Sequence, residues 1–141
     1  MRNVNSVSSM IEYAMCFVGT PYKWGGSNPV EGVDCSGLLQ EVLASIGMDP
    51  SGDQTAQGLF NYFSQGCLHI KGAGAIVFYG ASMSQITHVA LMINEFQIIE
   101  AGGGGSKTLT REDAGKQNAF VRIRPFGHRK DFVAALMPTY S

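Results

Sequence analysis

One cysteine of this chain is placed where its thiol could act as a nucleophile. Cys35 stands in the segment Asp34-Cys35-Ser36-Gly37, directly before an apolar stripe at helical spacing. Asp34 is a good helix N-cap, so we expect Cys35 in the first turn of a helix. Unpaired backbone N–H groups and the positive end of the helix dipole favour a thiolate there. The segment therefore predicts a nucleophilic thiolate at neutral pH.

A cysteine nucleophile needs a base that takes and returns a proton, and a group that orients this base. The chain has three histidines, His69, His88 and His128. His88 begins a strongly apolar strand, whereas His69 lies in a polar connection and His128 in a basic turn. The ordinary interpretation of His88 is a structural histidine whose ring nitrogens are hydrogen-bonded within the fold. The cysteine motif upstream favours His88 as the base instead.

Glu100 is the candidate that would orient this base. It lies twelve residues after His88, in the partner strand of a predicted hairpin whose turn covers residues 94–96. Side chains alternate with a period of two along a strand, so equal parity places both side chains on one face. Burying an unpaired carboxylate is costly, and pairing with His88 would remove that cost. The alternative is that Glu100 points to solvent.

The two other cysteines are interpreted as structural. Cys16 lies in an apolar helical pattern and is expected in the core, and Cys67, after Gly66 at a predicted helix end, is interpreted in the same way. Three cysteines make a poor disulfide framework. No cysteine and histidine cluster has the spacing of zinc ligands. We therefore expect no metal and no cofactor.

The composition is typical of one globular domain, predicted to span residues 1–141. Hydrophobic residues make up 45% of the chain and charged residues 15%, which suits a folded core. A formal net charge of −1 argues against nucleic-acid binding. The short basic run His128-Arg129-Lys130 is interpreted as a solvated turn. No apolar run approaches the ~20 residues of a membrane span.

The N-terminal residues 1–6 are polar, and no apolar core of a signal peptide follows them. We therefore expect a chain that is made in the cytosol, is a fragment, or leaves the cell by a route without a cleaved signal.

The first half of the chain predicts helices. A capping-box pattern at residues 9–12 opens a helix whose buried face is Met10, Ala14, Phe17 and Val18. The elements expected next are a glycine-rich loop over residues 20–33, the Cys35 helix ending at Gly47, and a third helix from residue 53 or 55 to Gly66.

The second half predicts strands, because short apolar runs replace the helical spacing after Gly72. We expect strands over residues 75–79, 87–93, 97–101, 119–124 and 132–137, with a helical turn inside the polar segment 108–117. Helices followed by a mostly antiparallel sheet of five to six strands predict an α+β fold.

Four segments stand together as a pattern: GTPYKWGG at residues 19–26, DCSGL at 34–38, GAIVFY at 74–79 and HVALMI at 88–93. In order and spacing they resemble the NlpC/P60 family of papain-like cysteine peptidases. The resemblance covers roughly residues 8–137. It implies a papain-like fold with N-terminal helices packed on the sheet. It also implies hydrolysis of bacterial peptidoglycan stem peptides, often between D-glutamate and a diamino acid.

The resemblance also assigns residues around the cysteine. Tyr22 matches the tyrosine that lines the site, and it is expected to stabilise the oxyanion together with the backbone N–H of Cys35. Asp34 and Ser36 match positions that hold the free amino end of the stem peptide in some members. Trp24 is expected either to wall the groove or to pack the glycine loop.

By the same resemblance Cys35 is the nucleophile, His88 the general base and Glu100 the third catalytic residue. The family usually carries His, Asn or Gln at the third position. A carboxylate would stabilise an imidazolium more strongly, with a changed pH optimum or substrate as the expected consequence. The family also usually carries an acidic residue after Gly74, where this chain has Ala75, a difference expected to affect turn geometry.

No wall-binding module or signal peptide accompanies the predicted domain. This fits a phage lysis or tail-associated enzyme, an injected antibacterial effector, or a cytosolic peptide-recycling enzyme, and a phage or effector origin is favoured. Such a protein would act on the wall after release or delivery. Two other functions stay open. One is a catalytically silent structural or binding domain of a phage tail or similar assembly, and the other is an amidase or acyltransferase on the same scaffold.

Overall fold

The computed structural model describes residues 4–140, with side chains from residue 6 onward. Residues 1–3, part of the stretch behind the signal-peptide expectation, and residue 141 lie outside the described residues. The helices are α1 (Val4–Met15), α2 (Cys35–Ala44), α3 (Ala56–Phe63), α4 (Arg111–Gln117) and a 3₁₀ turn (Phe126–His128). The strands are β1 (Ser27–Asn28), β2 (Gly32–Val33), β3 (Ile76–Ser82), β4 (Gln85–Met92), β5 (Gln97–Gly102), β6 (Phe120–Pro125) and β7 (Phe132–Leu136).

Five strands form one sheet in the order β6-β5-β4-β3-β7, and every neighbouring pair is antiparallel. Strands β1 and β2 form a separate small hairpin within the glycine-rich loop. Helices α2 and α3 both pack against β4, the central strand of the larger sheet. The predicted α+β fold, with helices packed on an antiparallel sheet, is confirmed.

The core lies between these helices and the sheet. Strand β3 carries five successive buried residues from Ile76 onward, so it is covered on both faces. Leu38, Leu39 and Leu43 of α2 are at most 1% exposed. Complete burial of one such side chain contributes about 1.5–3 kcal/mol. The site-bearing start of α2 is therefore fixed by the apolar packing of the rest of that helix.

The first helix differs from its prediction. It begins at Val4, so Ser9 lies inside the helix and does not open it. Phe17 is buried as predicted, but Val18 is 47% exposed and Cys16 is exposed, which corrects the expectation that both lie in the core. The reason is that the helix ends before residue 16. Helical spacing no longer governs these residues, and only Phe17 turns inward.

The predicted start of α2 is confirmed. Cys35 is its first residue, and the Asp34 side chain accepts a hydrogen bond from the Gly37 backbone N–H at 2.7 Å. The start of α3 is capped in the same way, with Thr55 accepting from the Gly58 N–H at 3.0 Å. Both caps satisfy backbone donors that have no partner within their helix.

Gly37 is required by a close approach of the glycine-rich loop to α2. A Cβ atom at this position would lie 2.1 Å from the carbonyl oxygen of Gly26. The same oxygen accepts a hydrogen bond from the Asp34 N–H at 3.0 Å. The loop and the first turn of the helix are therefore in direct backbone contact.

Replacing Gly37 by Ala should lower the free energy of unfolding by about 1–3 kcal/mol, because the new methyl group overlaps a fixed carbonyl. Urea unfolding followed by circular dichroism measures this. Gly115→Ala in α4 is the matched control, since a Cβ atom there has nothing within 4 Å. That variant should be unchanged or up to about 1 kcal/mol more stable. Equal destabilisation of the two variants would contradict the steric argument.

Candidate active site

A cavity of about 300 Å³ opens at the N-terminus of α2. It brings together five residues that the sequence selected. These are Tyr22, Trp24, Asp34, Cys35 and Ser36. Residues 53–56 form another wall of the cavity, and residues 86 and 87 of β4 reach it next to His88. The cavity therefore lies between the glycine-rich loop, the start of α2 and the central strand of the sheet.

The thiol of Cys35 is held against the strand that carries His88. The backbone N–H groups of Val89, Ser36 and Cys35 itself lower the pKa of the thiol. Burial and then the charge of Asp34 outweigh them and raise the pKa to about 11. The raised pKa runs against the resting thiolate that the sequence predicts, and the cause is the partial burial of Cys35 against β4.

His88 and Glu100 form a buried pair. Their side chains are 8% and 4% exposed, and His88 Nε2 lies 2.7 Å from Glu100 Oε1. Leu91 of β4 pairs with Ile99 of β5, so both functional side chains lie on the same face of adjacent strands, as their parity predicted. The predicted pairing is confirmed, and the alternative of a solvent-facing Glu100 is wrong.

Glu100 is ionised at neutral pH. Burial raises the pKa of its carboxyl group, but the hydrogen bonds and charges of His88 and His128 outweigh burial and bring the pKa below its ordinary value. An ionised carboxylate only accepts hydrogen bonds, so the Nε2 atom of His88 carries a hydrogen. The lone pair of a neutral His88 is therefore on Nδ1, which makes Nδ1 the basic atom.

His128 is a site residue that the sequence did not predict. It ends the 3₁₀ turn after β6, and its Nε2 lies 3.0 Å from Glu100 Oε2. Its side chain is 21% exposed, and Arg129 beside it is half-buried and makes two hydrogen bonds to Asp131, at 2.8 and 2.9 Å. The run is exposed at His128 and Lys130, as a solvated turn would be, but His128 and Arg129 also make specific side-chain contacts that the interpretation did not predict.

Asp34 connects α2 to the glycine-rich loop. Its Oδ1 accepts from the Gly37 N–H at 2.7 Å and from the Ser36 hydroxyl at 3.2 Å, and its Oδ2 accepts from the Gly25 N–H at 3.1 Å. Burial raises the pKa of Asp34, and these three hydrogen bonds lower it again in part. The residue therefore shapes the cavity wall in addition to capping the helix.

Tyr22 and Trp24 line the same cavity with different exposure. Tyr22 is buried, and burial together with the charges of Cys35 and Asp34 raises the pKa of its phenol. Its hydroxyl therefore remains a hydrogen-bond donor. Trp24 is 52% exposed, and its backbone N–H donates to the Thr108 carbonyl at 2.7 Å. Trp24 was predicted either to wall the groove or to pack the glycine loop, and its place in the cavity lining favours the first prediction.

Gln40 holds the wall opposite the glycine-rich loop. It is 7% exposed, and its Nε2 donates to Asp53 Oδ1 at 3.2 Å and to the Gln54 carbonyl at 3.1 Å. Its Oε1 accepts from the Gln54 N–H at 2.7 Å. The sequence did not predict a role for Gln40. The feature that could have indicated one is an amide side chain next to Leu39, on the buried face of an apolar helix.

The three cysteines of residues 4–140 form no disulfide, and Cys67 is half-buried. No group of three or more His, Cys, Asp or Glu side chains in this range is arranged to hold a metal ion.

None of the helices that the structure describes is both long and apolar enough to cross a bilayer.

The fold and this site match a known family. The family model described as "NlpC/P60 family" matches residues 19–124, which include the glycine-rich loop, α2 and strands β3 to β5. The chain belongs to the NlpC/P60 family.

Curated relatives carry names of wall-degrading enzymes. The chain is 32% identical over 114 residues to the bifunctional muramidase/DL-endopeptidase CwlT of Bacillus subtilis, covering 74% of this chain and 34% of CwlT. It is 33% identical over 121 residues to the peptidoglycan endopeptidase RipB of Mycobacterium tuberculosis, covering 72% of this chain and 46% of RipB. The chain thus spans less than half the length of either relative.

Solved structures show the same fold. The peptidoglycan hydrolase RipB of Mycobacterium tuberculosis superposes with a TM-score of 0.69 at 22% identity, covering 97% of this chain and 66% of that chain. RipD of the same organism, described as a non-catalytic NlpC/P60 domain protein, gives a TM-score of 0.68 at 18% identity, covering 94% of this chain and 96% of that chain. Both catalytic and non-catalytic proteins therefore share this architecture.

The low pKa of Glu100 makes stability depend on pH. Folding favours its ionised form, so the stabilisation is complete above the unfolded-state pKa of about 4.3 and is lost as pH falls through the lower folded-state value. The free energy of unfolding should therefore fall more steeply with acidification in the wild type than in Glu100→Gln. Urea unfolding between pH 6 and 3 measures both slopes. The exposed Glu95→Gln control should keep the wild-type slope.

The high pKa of Cys35 predicts slow alkylation. At pH 7 a thiol of pKa about 11 is ionised in roughly one molecule in ten thousand. Iodoacetamide should therefore modify Cys35 more slowly than the exposed Cys16 in the same sample, and the difference should shrink toward pH 11. Peptide mass spectrometry reads each cysteine separately. Faster labelling of Cys35 than of Cys16 at pH 6 would instead demonstrate a resting thiolate.

Proposed function

We propose that this chain is a cysteine endopeptidase that hydrolyses peptide bonds in the stem peptides of bacterial peptidoglycan. The observation that carries this proposal is the position of the Cys35 thiol. It lies where the N–H of Val89 lowers its pKa, and the residue before Val89 is a histidine whose Nε2 lies 2.7 Å from Glu100 Oε1. The names of CwlT and RipB support the substrate class.

The first half of the reaction uses His88 as a general base. Nδ1 of His88 takes the proton from Cys35 Sγ while Sγ attacks the scissile carbonyl carbon, because the resting thiol is protonated. The carbonyl oxygen becomes an oxyanion. The backbone N–H of Cys35 and the hydroxyl of Tyr22, which stays protonated, are the donors proposed to stabilise it.

The second half releases both products. The His88 imidazolium gives its proton to the leaving amine as the C–N bond breaks, and a thioester remains on Cys35. Water then attacks the thioester carbonyl, with His88 taking the water proton and returning it to the Cys35 sulfur. Glu100 remains ionised throughout and stabilises the imidazolium through Nε2 without taking the proton.

Asp34 and Ser36 are proposed to bind the free amino end of the stem peptide. Both line the cavity, and Oδ2 of Asp34 accepts only the Gly25 N–H among the hydrogen bonds of the described residues. A second lone pair on this oxygen is therefore available for an ammonium group. Asp53 adds another carboxylate to the lining. The scissile bond proposed for such a substrate joins D-glutamate to a diamino acid.

A second candidate function is binding without catalysis. The protonated resting thiol and the shared fold with the non-catalytic RipD favour it. The buried pair of His88 and Glu100 beside the cavity-lining Cys35 favours catalysis, because an ionised carboxylate buried against an imidazole has a direct use there. An amidase or acyltransferase would use the same nucleophile and differ only in its products.

Delivery to the wall by a phage or as an injected effector remains a prediction from the sequence. It is proposed here as the route by which the enzyme meets its substrate.

Incubation of purified muropeptides with the wild type should give new fragments in mass spectra, whereas Cys35→Ala should give none. The substitution removes the nucleophile and leaves the Asp34 cap in place, so the variant should keep its fold by circular dichroism. Cys16→Ala, at an exposed cysteine outside the cavity, is the matched control and should retain wild-type turnover.

The products separate the alternatives. Cleavage between D-glutamate and the diamino acid supports the proposed endopeptidase, and cleavage between sugar and peptide indicates an amidase. New amide bonds indicate acyl transfer. Muropeptide binding without any new product, with both diaminopimelate and lysine stem peptides tested, would support the non-catalytic function. Fragments from Cys35→Ala equal to those of the wild type would contradict the mechanism.

A further inference from the structure

The carboxylate of Glu100 is held by two histidines from different parts of the fold. Oε1 faces Nε2 of His88 at 2.7 Å, and Oε2 faces Nε2 of His128 at 3.0 Å. Because the carboxylate is ionised and only accepts, both Nε2 atoms carry hydrogens. Each oxygen of Glu100 therefore faces one imidazole Nε2, so the carboxylate is held between the two histidines.

The other charged groups nearby do not replace His128. Arg124, on β6, has its Nε atom 4.0 Å from Glu100 Oε2, beyond hydrogen-bond distance, and that atom has no hydrogen-bond partner among the described residues. Arg129 is bound by Asp131 and stacks over the Tyr79 ring, 5.1 Å from its centroid. Within the described residues, Nε2 of His128 is thus the side-chain nitrogen that lies within hydrogen-bond distance of Oε2, at 3.0 Å.

We propose that His128 is a positioning residue, which holds Glu100 in the orientation that keeps His88 protonated on Nε2 and leaves Nδ1 free. Without the His128 donor, Oε2 is a buried carboxylate oxygen with no hydrogen bond, which is costly. The carboxylate would then turn toward Arg124, and its bond to His88 would weaken. The consequence for catalysis rests on the proposed function, but the consequence for the His88 tautomer does not.

The position of the donor atom along the side chain gives a sharp test. A glutamine places its amide nitrogen about where histidine has Nε2, whereas asparagine places it near Nδ1, one bond short. His128→Gln should therefore still donate to Oε2, and His128→Asn should not. Both changes remove the imidazole and its charge, so the two variants differ mainly in how far their amide N–H donor extends toward Glu100 Oε2. His69→Asn, at an exposed histidine, controls for loss of a remote imidazole.

Two measurements are made on these variants. Nitrogen NMR of the imidazole rings in the free protein reports the His88 tautomer, and muropeptide kinetics report kcat and KM separately. We expect His128→Gln and the His69 control to keep the Nε2–H tautomer and kcat within about 2-fold. We expect His128→Asn to give a mixture of tautomers and to lose about 10-fold in kcat with little change in KM, a part of what general base catalysis supplies.

An unchanged His88 tautomer and kcat in a folded His128→Asn variant would overturn the proposal. If that variant fails to fold, the nitrogen spectrum of the wild type provides the test. A His128 protonated only on Nδ1 cannot donate to Glu100, so finding that tautomer would also overturn the proposal. The spectra need no substrate. If the wild type cleaves no muropeptide while the tautomer responds as expected, the proposed function fails and the positioning of Glu100 stands.

Discussion

The buried carboxylate of Glu100 is the constraint on which the site depends. A charge removed from water is tolerated only where it is paired, and here the imidazoles of His88 and His128 meet that requirement. This links β4, β5 and the turn after β6 at one point. The hydrogen bond to Glu100 also fixes the tautomer of His88, so the requirement that stabilises the fold also sets which ring nitrogen of His88 is free.

Helix α2 organises the opposite side of the site. Its first turn presents Cys35, its cap Asp34 binds the glycine-rich loop, and Gln40 one turn further on binds the wall at residues 53 and 54. The apolar positions between these residues anchor the helix on the sheet. A single amphipathic helix therefore carries Cys35 and also positions both edges of the cavity. Asp34 and Gln40 are thus as important to the structure as the buried leucines.

The sequence patterns correctly predicted those features of the site that depend only on residues close together in the chain or on strand alternation. The cap at Asp34 and the shared face of His88 and Glu100 follow from helix capping and strand parity. Cys16 was misplaced because the sequence did not show where the first helix ends. The roles of His128 and Gln40 depend on contacts between segments far apart in the chain, which periodicity does not encode. The pKa of Cys35 was missed for the same reason, since its burial depends on β4 packing over the helix.

The close backbone contact at Gly37 has a consequence for how the cleft recognises what enters it. With the glycine-rich loop seated on the helix and the facing wall tied to Gln40, both sides move only with the same rigid element. A ligand therefore meets a preformed slot and loses little binding free energy to ordering the protein. Recognition then depends on how well a ligand matches the existing shape of the cavity.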